Sequence, residues 1–492
     1  MIFLLFSILW FAFGSTANSH STTNKNDAGS YAKHATHLIS NDTIPNDSTI
    51  CPEPLPWDER LRQGLDSLVA TVHTEPFTLG FCVYDLTADS VFYGYNEHKS
   101  MRPASTQKLI TAISALHYLG ATHTYNTCAY YTGAIQDSVL RGDIHIVGDF
   151  DPIFDENDLN DMTDAFTELG IKRIEGRILG DVSMKDSTIW GEGWCWDDAP
   201  SNNEPYLTPL LLNRGCVRVN ASVREASTEP QTSYVSLNPL GPGKFKVTRN
   251  WISNGNIITT TGRGSRSISV FKPELYFLCT LCDRLAERGI TVTGTGDNKP
   301  PYDIAVLPES GTKVFYRKTR NLSQLLNEML KESDNLYAES MFYKMANAKA
   351  GRWATANDAR EIIRNIIAQA DSVAGSTQIA DGSGVSLYNY TTPRTLVALL
   401  KLAHKDNNIF SHLFPSLPIA GMDGTLTSRM KEGNTYGNVH AKTGTLYGVS
   451  SLAGYVTATN GHLLAFSIIS NGCIIRSIAK DLENKLCQEL AR

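Results

Sequence analysis

The spacing of apolar residues predicts alternating helices and strands in the first part of the chain. Leu109, Ile110, Ile113 and Leu116 lie at helical spacing, and Gly120 follows them as a helix stop. The predicted elements of this part are a helix at 57–72, strands at Phe77–Leu86 and Val91–Tyr95, and a helix that begins after Pro103. Proline suits the first turn of a helix, so Ser105 is expected in that turn.

The C-terminal part shows the same mixture. The predicted elements are helices at 322–347 and 357–370, strands at Val439–Thr443, Val449–Thr457 and Leu463–Ser470, and a final helix with Ile475, Ile478, Leu482, Leu486 and Leu490 on one face. A helix with one apolar face packs against a sheet. The fold class expected is therefore α+β, with an antiparallel sheet flanked by helices.

The middle of the chain contains a weak internal repeat. Leu159–Gly170 leads into a strand at Ile174, and Leu275–Gly289 leads into a strand at Val292. Each unit has the pattern of a helix, a glycine stop and a strand. Residues 182–272 lie between the two units and are rich in Thr, Ser, Gly and Val, which is typical of β structure. We expect two halves of one inserted domain, 121–181 and 273–309, with a nested β-rich domain at 182–272.

Composition supports a globular chain of more than one domain. The chain has 492 residues, of which 42% are hydrophobic and 19% are charged, and its net charge is −6. This length exceeds one ordinary core. A negative net charge without a basic run makes nucleic acid an unfavourable partner.

The N-terminal residues predict export. Residues 2–14 are apolar and precede the small residues Ser15-Thr16-Ala17, which is typical of a signal peptide over 1–17. Residues 18–50 are polar and predict a disordered tether. We expect the mature protein in the periplasm or cell envelope of a bacterium, with peripheral membrane or wall association left open. Nine cysteines are an odd number, so at least one is free, and their pairing is not predicted.

Three short motifs supply the candidate chemistry. Ser105 is followed by Lys108, Ser333 by Asn335, and Lys442 by Thr443 and Gly444, the last as a single Lys-Thr-Gly. Ser-x-x-Lys alone is weak evidence for an active site, since the pattern recurs at Ser310 and elsewhere. Their order makes them specific, because together they provide a serine nucleophile, two amines, a second hydroxyl and an amide.

Each residue has a chemical role that its type allows. A neutral Lys108 can remove the proton of Ser105, and we expect burial and a charged Lys442 to lower the pKa of Lys108. Ser333 can relay a proton to the leaving group, and Asn335 can hold both Lys108 and a substrate amide. Lys442, Thr443 and Thr445, with Gly444 between the threonines, form an edge suited to a carboxylate.

The three motifs, with Asp381-Gly382-Ser383-Gly384 and the segment Leu417–Leu426, resemble the D-Ala-D-Ala carboxypeptidase/endopeptidase family, the low-molecular-mass class C penicillin-binding proteins. The resemblance implies a penicillin-binding-protein/β-lactamase-like domain over 51–120 and 310–492. It also implies an acyl-enzyme at Ser105, an oxyanion hole at the N–H groups of Ser105 and Thr445, peptidoglycan stem peptides as substrate, β-lactams as inhibitors and no cofactor or metal.

The resemblance also suggests a substrate contact inside the insertion. Trp194, Asp197 and Asp198 are similar to the family's pocket for the amine of a diaminopimelate side chain, and we expect them to lie over the active site. A buried tryptophan cluster with solvated aspartates is the alternative. For the whole chain the alternatives are a serine β-lactamase, which needs far less chain between Ser105 and Ser333, and a non-catalytic penicillin-sensing or wall-binding protein. The oligomeric state and the balance of carboxypeptidase and endopeptidase action are not predicted.

Overall fold

The structure is a computed structural model that describes residues 55–492 except 73–74, 199–200, 254, 295, 297–298 and 372–376. The predicted signal peptide and tether lie outside these described residues. Within them, no helix is both long enough and apolar enough to cross a membrane. Eight cysteines lie in the described ranges, and all eight are free thiols.

Ten α-helices and twenty strands are described. The helices are α1 (Trp57–Thr71), α2 (Gln107–Leu119), α3 (Glu156–Glu168), α4 (Pro273–Glu287), α5 (Leu322–Lys331), α6 (Asn335–Ala350), α7 (Ala356–Ala370), α8 (Pro393–Lys405), α9 (Asn407–Ser416) and α10 (Arg476–Leu490). The strands are β1 (Thr78–Asp85), β2 (Ser90–Tyr95), β3 (Thr124–Thr132), β4 (Ala134–Gln136), β5 (Val139–Arg141), β6 (Ile144–Val147), β7 (Arg173–Glu175), β8 (Ile178–Asp181), β9 (Cys216–Ala221), β10 (Ala226–Glu229), β11 (Ser236–Pro239), β12 (Lys246–Arg249), β13 (Ile257–Thr261), β14 (Gly264–Ser269), β15 (Thr291–Val292), β16 (Tyr302–Ile304), β17 (Thr312–Asn321), β18 (His440–Leu446), β19 (Val449–Thr457) and β20 (Leu463–Asn471).

A five-stranded antiparallel sheet in the order β18-β19-β20-β1-β2 forms the centre of the first domain. Alternate side chains of its strands enter two different cores, as the two-residue period of a strand requires. Phe81 and Val83 join the core formed with α1 and α10. Cys82 and Tyr84 join the core that contains α2, α5, α6, α7 and α8. The sheet is thus covered by helices on both faces, and α2 lies in the larger core.

The predicted helix at 322–347 is wrong as a single element, because Ser333 and Asp334 divide it into α5 and α6. Ser333 adopts a left-handed backbone with φ of 63°. The Asp334 side chain caps α6 by accepting the Tyr337 N–H at 3.2 Å. Apolar periodicity continues on both sides of the break, so the spacing did not reveal it. The break places Ser333 and Asn335 at the start of α6.

The inserted region contains four sheets, in the orders β16-β8-β6-β3-β17, β15-β7-β5-β4, β10-β9-β14 and β11-β13-β12. The strands of the two repeat units are neighbours, because β15 pairs with β7 in parallel with Val292 opposite Ile174. Gly170 and Gly289, which end the two helices, have φ of 71° and 74°. Both glycines therefore act as the left-handed stops that the pattern predicts.

Two expected domain boundaries differ from the structure. Strand β17 pairs with β3 along its length, so 312–321 belongs to the inserted sheet, and the first domain resumes at Leu322 rather than at 310. The described residues of 182–212, which exclude 199–200, contain no strand, and Met184, Trp194 and Leu207 lie in the same core as α2. The nested β structure therefore begins at Cys216, and the stretch before it covers the catalytic helices.

Candidate active site

Ser105 lies in a single 3₁₀ turn, Ala104–Thr106, which leads directly into α2. The preceding Ala104 has φ of 49°, a left-handed conformation that costs an L-residue about 1–2 kcal/mol. Such strain is characteristic of positions that aim a functional group. Ser105 is thereby presented at the helix start, where backbone N–H groups have no intrahelical acceptor.

Strand β18 approaches this turn closely at Gly444. A Cβ added to Gly444 would lie 2.2 Å from Ser451 Oγ, 2.9 Å from Pro103 O and 3.0 Å from Ser105 N. Gly444 was predicted to bind substrate, and the structure gives it a spacing role, because only a residue without a side chain fits there. The backbone of β18 is consequently brought beside the nucleophile.

Lys108 is fully buried, and its amine has three oxygen neighbours. Its Nζ donates to Asn335 Oδ1 at 2.7 Å and to Ser383 O at 2.7 Å, and it lies 3.0 Å from Ser105 Oγ. The first two oxygens are acceptors only. A neutral amine has two hydrogens and one lone pair, so both hydrogens are engaged and the lone pair is left facing Ser105. This arrangement suits removal of the Ser105 hydroxyl proton.

Burial lowers the pKa of Lys108 to about 8, which makes the neutral amine accessible near neutral pH. The carboxylates of Asp381, Asp334, Glu339 and Glu204 oppose this shift. Lys442 is also fully buried, and burial followed by the nearby Lys108 lowers its pKa well below the usual range. The pKa of Lys108 is thus lowered as expected, but burial is the cause; Lys442 does not contribute, because its own pKa lies so low that it is neutral where Lys108 titrates.

Ser333 and Lys442 form the second half of the site. Lys442 Nζ donates to Ser333 Oγ at 2.8 Å and to Thr443 O at 2.8 Å. The Thr443 hydroxyl donates to Thr425 Oγ1 at 2.8 Å, and Thr445 is half-buried on the same strand. The Ser333 hydroxyl can therefore receive a proton from the Lys442 amine or pass one to it. This contact fits the proton relay that the sequence predicts for Ser333.

Asn335 has all its hydrogen-bonding groups engaged in the structure. Its Oδ1 accepts from Lys108, and its Nδ2 donates to Asn203 O at 3.1 Å and to Glu204 Oε1 at 3.0 Å. The predicted contact with Lys108 is present. A substrate amide, however, has to replace one of these two acceptors. Burial raises the pKa of Glu204 above its ordinary value.

The sequence analysis used Asp381-Gly382-Ser383-Gly384 for the resemblance but assigned this loop no role in the site, whereas its Ser383 carbonyl holds Lys108. Asp381 organises this loop by accepting the N–H groups of Gly384 at 2.8 Å and Ser386 at 2.7 Å. The fully buried Glu339 accepts the N–H of Ser383 at 2.8 Å, and burial raises its pKa to about 8. The Asp-Gly-Ser-Gly motif was the available signal, but a motif of turn residues also occurs in ordinary loops.

Trp194 does not face solvent above the site. Only 7% of it is exposed, and its indole Nε1 donates to Asp381 Oδ2 at 2.8 Å. Trp194 is thus buried, as the alternative of a tryptophan cluster expects, and it supports the loop that holds Lys108. Asp198 is half-buried and accepts the Cys195 N–H at 2.8 Å, whereas Asp197 is exposed beside Trp196.

With this geometry in place, the comparisons with known proteins decide the family. The model of the D-Ala-D-Ala carboxypeptidase 3 (S13) family matches residues 61–492. The chain belongs to this family. The S13 chain is 27% identical over 421 residues to the D-alanyl-D-alanine carboxypeptidase DacB of Haemophilus influenzae, covering 81% of this chain and 86% of that protein. It is also 27% identical over 453 residues to the D-alanyl-D-alanine carboxypeptidase of Actinomadura sp., with 84% and 81% covered.

Solved structures support the fold of the S13 chain. The crystal structure of penicillin binding protein 4 (dacB) from Haemophilus influenzae matches with a TM-score of 0.75 and 24% identity, covering 86% of this chain and 99% of that one. The same protein complexed with a β-lactam matches with a TM-score of 0.68 and 22% identity, over 88% and 100%. The predicted α+β fold of the penicillin-binding-protein type is confirmed, and the protein is a serine-type carboxypeptidase of its family.

Proposed function

We propose that the protein is an exported serine DD-peptidase that removes D-alanine from peptidoglycan stem peptides and also cuts D-Ala cross-links. Ser105 attacks the carbonyl of the penultimate D-alanine and forms an acyl-enzyme, and Lys108 takes the Ser105 proton. The proton passes through Ser333 to the leaving amine, and water then releases the acyl group. The observation that carries this proposal is the position of the Lys108 amine, which lies 3.0 Å from Ser105 Oγ and 2.7 Å from each of two acceptor oxygens, Asn335 Oδ1 and Ser383 O.

Mass analysis of the products from purified cross-linked muropeptides tests the proposal. Release of D-alanine from pentapeptides supports the carboxypeptidase activity, and conversion of dimers to monomers supports the endopeptidase activity. Intact substrates after prolonged incubation would contradict both. Fractionation of the native host tests export, which the proposal bases on the signal pattern of 1–17.

Two other functions give different results with penicillin. A β-lactamase hydrolyses it within milliseconds, whereas a DD-peptidase keeps the acyl-enzyme for minutes to hours. A non-catalytic penicillin sensor labels stably yet releases no D-alanine. The match to the S13 family model and the complete set of Ser105, Lys108, Ser333, Asn335 and Lys442 favour the peptidase.

Acylation is expected to depend on pH through Lys108. Because only the neutral amine accepts the Ser105 proton, the rate constant for acylation by penicillin should rise about tenfold per pH unit below pH 8 and level off above it. Stopped-flow or gel-based labelling across this range measures the effect. A rate that is flat or falls between about pH 6 and 8 would contradict the role of Lys108 as base.

Lys442 is expected to recognise the terminal carboxylate of the substrate. A buried amine whose pKa is lowered gains a proton when a carboxylate binds beside it, so the ion pair forms only with the ligand. Lys442→Ala should slow acylation by peptides and penicillin by about 10–100-fold, the scale of a charged hydrogen bond. A small thioester without a carboxylate should lose much less. Equal losses on both substrates would indicate that Lys442 acts chiefly in the proton relay.

Asp197 is expected to bind the side-chain amine of diaminopimelate. It is exposed beside Trp196, whereas the carboxylate of Asp198 is engaged with the Cys195 N–H. Acetylation of that amine should cost the wild type about 1–3 kcal/mol in kcat/KM, and should cost Asp197→Asn little. Asp198→Asn is the matched control and should retain sensitivity to acetylation. If the wild type is indifferent to acetylation, this part of the insertion has no role in substrate recognition.

A further inference from the structure

The inserted region contacts the second active-site motif through a turn with an unusual backbone. Asn213, Arg214 and Gly215 have φ of 48°, 65° and 68°, three successive left-handed residues. Glycine and asparagine visit this conformation routinely, but the Arg214 side chain disfavours it. The turn is held by the Asn213 N–H, which donates to Phe154 O at 3.0 Å, and by the Gly215 N–H, which donates to Leu212 O at 2.9 Å. Backbone strain of this kind persists where the surrounding structure requires it.

The turn directs Arg214 at Asp334, the middle residue of Ser333-Asp334-Asn335. The guanidinium Nη1 forms an ion pair with Asp334 Oδ2, and Nη2 donates to Asn202 O at 3.2 Å. The other carboxylate oxygen of Asp334 caps α6. The forked side chain therefore joins the motif to the segment Asn202–Glu204 of the insertion, which a point charge such as a lysine ammonium does less well.

The segment Asn202–Glu204 determines which end of the Asn335 amide faces Lys108. Both acceptors of Asn335 Nδ2, Asn203 O and Glu204 Oε1, belong to this segment. With the amide nitrogen held on that side, the carbonyl oxygen is left to accept from Lys108 Nζ. A flipped amide would present N–H groups to the amine and leave two acceptors of the segment without donors.

We propose that Arg214 is a positioning residue for acylation, which acts by fixing Asp334 and the segment Asn202–Glu204 and thereby orienting the Asn335 amide toward Lys108. The inserted region thus takes part in catalysis from outside the catalytic domain. This role depends on the proposed acylation of Ser105. Arg214 acts indirectly, because its own polar contacts are with Asp334 and Asn202 and not with Lys108 or Asn335.

The test measures the rate constant for acylation by a fluorescent penicillin in full-length variants. Arg214→Ala should slow acylation by about 30–100-fold, the scale expected when a distant change misplaces a catalytic group. Arg214→Lys should recover part of the loss, because it keeps the charge and loses the fork. Arg218→Ala is the matched control, since Arg218 lines the same cavity of about 390 Å³ and should acylate at the wild-type rate.

A double-mutant cycle with Asn335→Ala separates positioning from a general structural effect. If Arg214 acts through Asn335, Arg214→Ala should slow the Asn335→Ala enzyme by less than about twofold. A loss as large as in the wild-type background, or a wild-type rate in Arg214→Ala itself, would overturn the proposal. If the alanine variant does not fold, the same cycle with Arg214→Lys decides. A wild type that penicillin does not label would instead contradict the proposed function.

Discussion

Replacing Ser105 with alanine is expected to abolish covalent labelling by penicillin and to lower turnover of a pentapeptide by a thousandfold or more. No neighbouring group in the described site offers a second hydroxyl to Lys108 at the helix start, since the Ser333 hydroxyl is paired with Lys442. The thermal midpoint should stay close to that of the wild type, because the lost hydroxyl is only half-buried. Gel fluorescence after incubation with labelled penicillin measures the first effect, and D-alanine release measures the second.

Ser310→Ala is the matched control for this experiment. Ser310 also begins a Ser-x-x-Lys sequence, but it is exposed in the loop before β17. This variant should label and turn over like the wild type. Undiminished labelling of Ser105→Ala would show that another residue is the nucleophile and would contradict the assignment of the site.

Replacing Lys108 with methionine is expected to slow acylation by about 10³–10⁴-fold while the fold is retained. Methionine is similar in length and replaces a fully buried amine by an apolar group, so the packing of α2 should be preserved. The Ser105 hydroxyl then has no base within hydrogen-bond distance, and Asn335 Oδ1 and Ser383 O lose their donor. Penicillin acylation over hours measures the residual rate.

The pH dependence of that residual rate distinguishes a lost base from a distorted site. The increase through about pH 8 should disappear in Lys108→Met, because the group that titrates there is absent. Lys185→Met is the control, since Lys185 is another buried lysine whose pKa burial lowers. Its acylation should keep the increase near pH 8. A Lys108→Met enzyme that retains the increase would assign the titration to a different group.

The catalytic motifs were predictable from the sequence because their chemistry depends on side chains at short, fixed spacings. Ser105 and Lys108 lie one helical turn apart, so any helix start at this position brings them together. Strand β18 was predicted at Val439–Thr443 and extends over His440–Leu446 in the structure. The contact of Lys108 with Asn335 followed from the order of the motifs, although 227 positions separate the two residues.

The supporting residues were not predictable, because their roles depend on tertiary contacts. Trp194 is buried against Asp381 rather than exposed, and an aromatic residue beside carboxylates has the same sequence pattern in both cases. Arg214 gave no signal, since its contact with Asp334 requires three successive left-handed residues. The effect of Lys442 on Lys108 was misjudged because the full burial of Lys442, which lowers its own pKa, depends on tertiary packing.

The position of the insertion determines when, during synthesis of the chain, the active-site residues can come together. The nucleophile is made before the inserted region, whereas Ser333, Ser383 and Lys442 are made after it. Contacts between such distant segments form slowly, because a long loop has to close before they contribute stability. A chain whose synthesis has reached only β17 therefore carries Ser105 without an oriented base. The acyl-enzyme at Ser105 cannot form until the last third of the chain has folded onto α2.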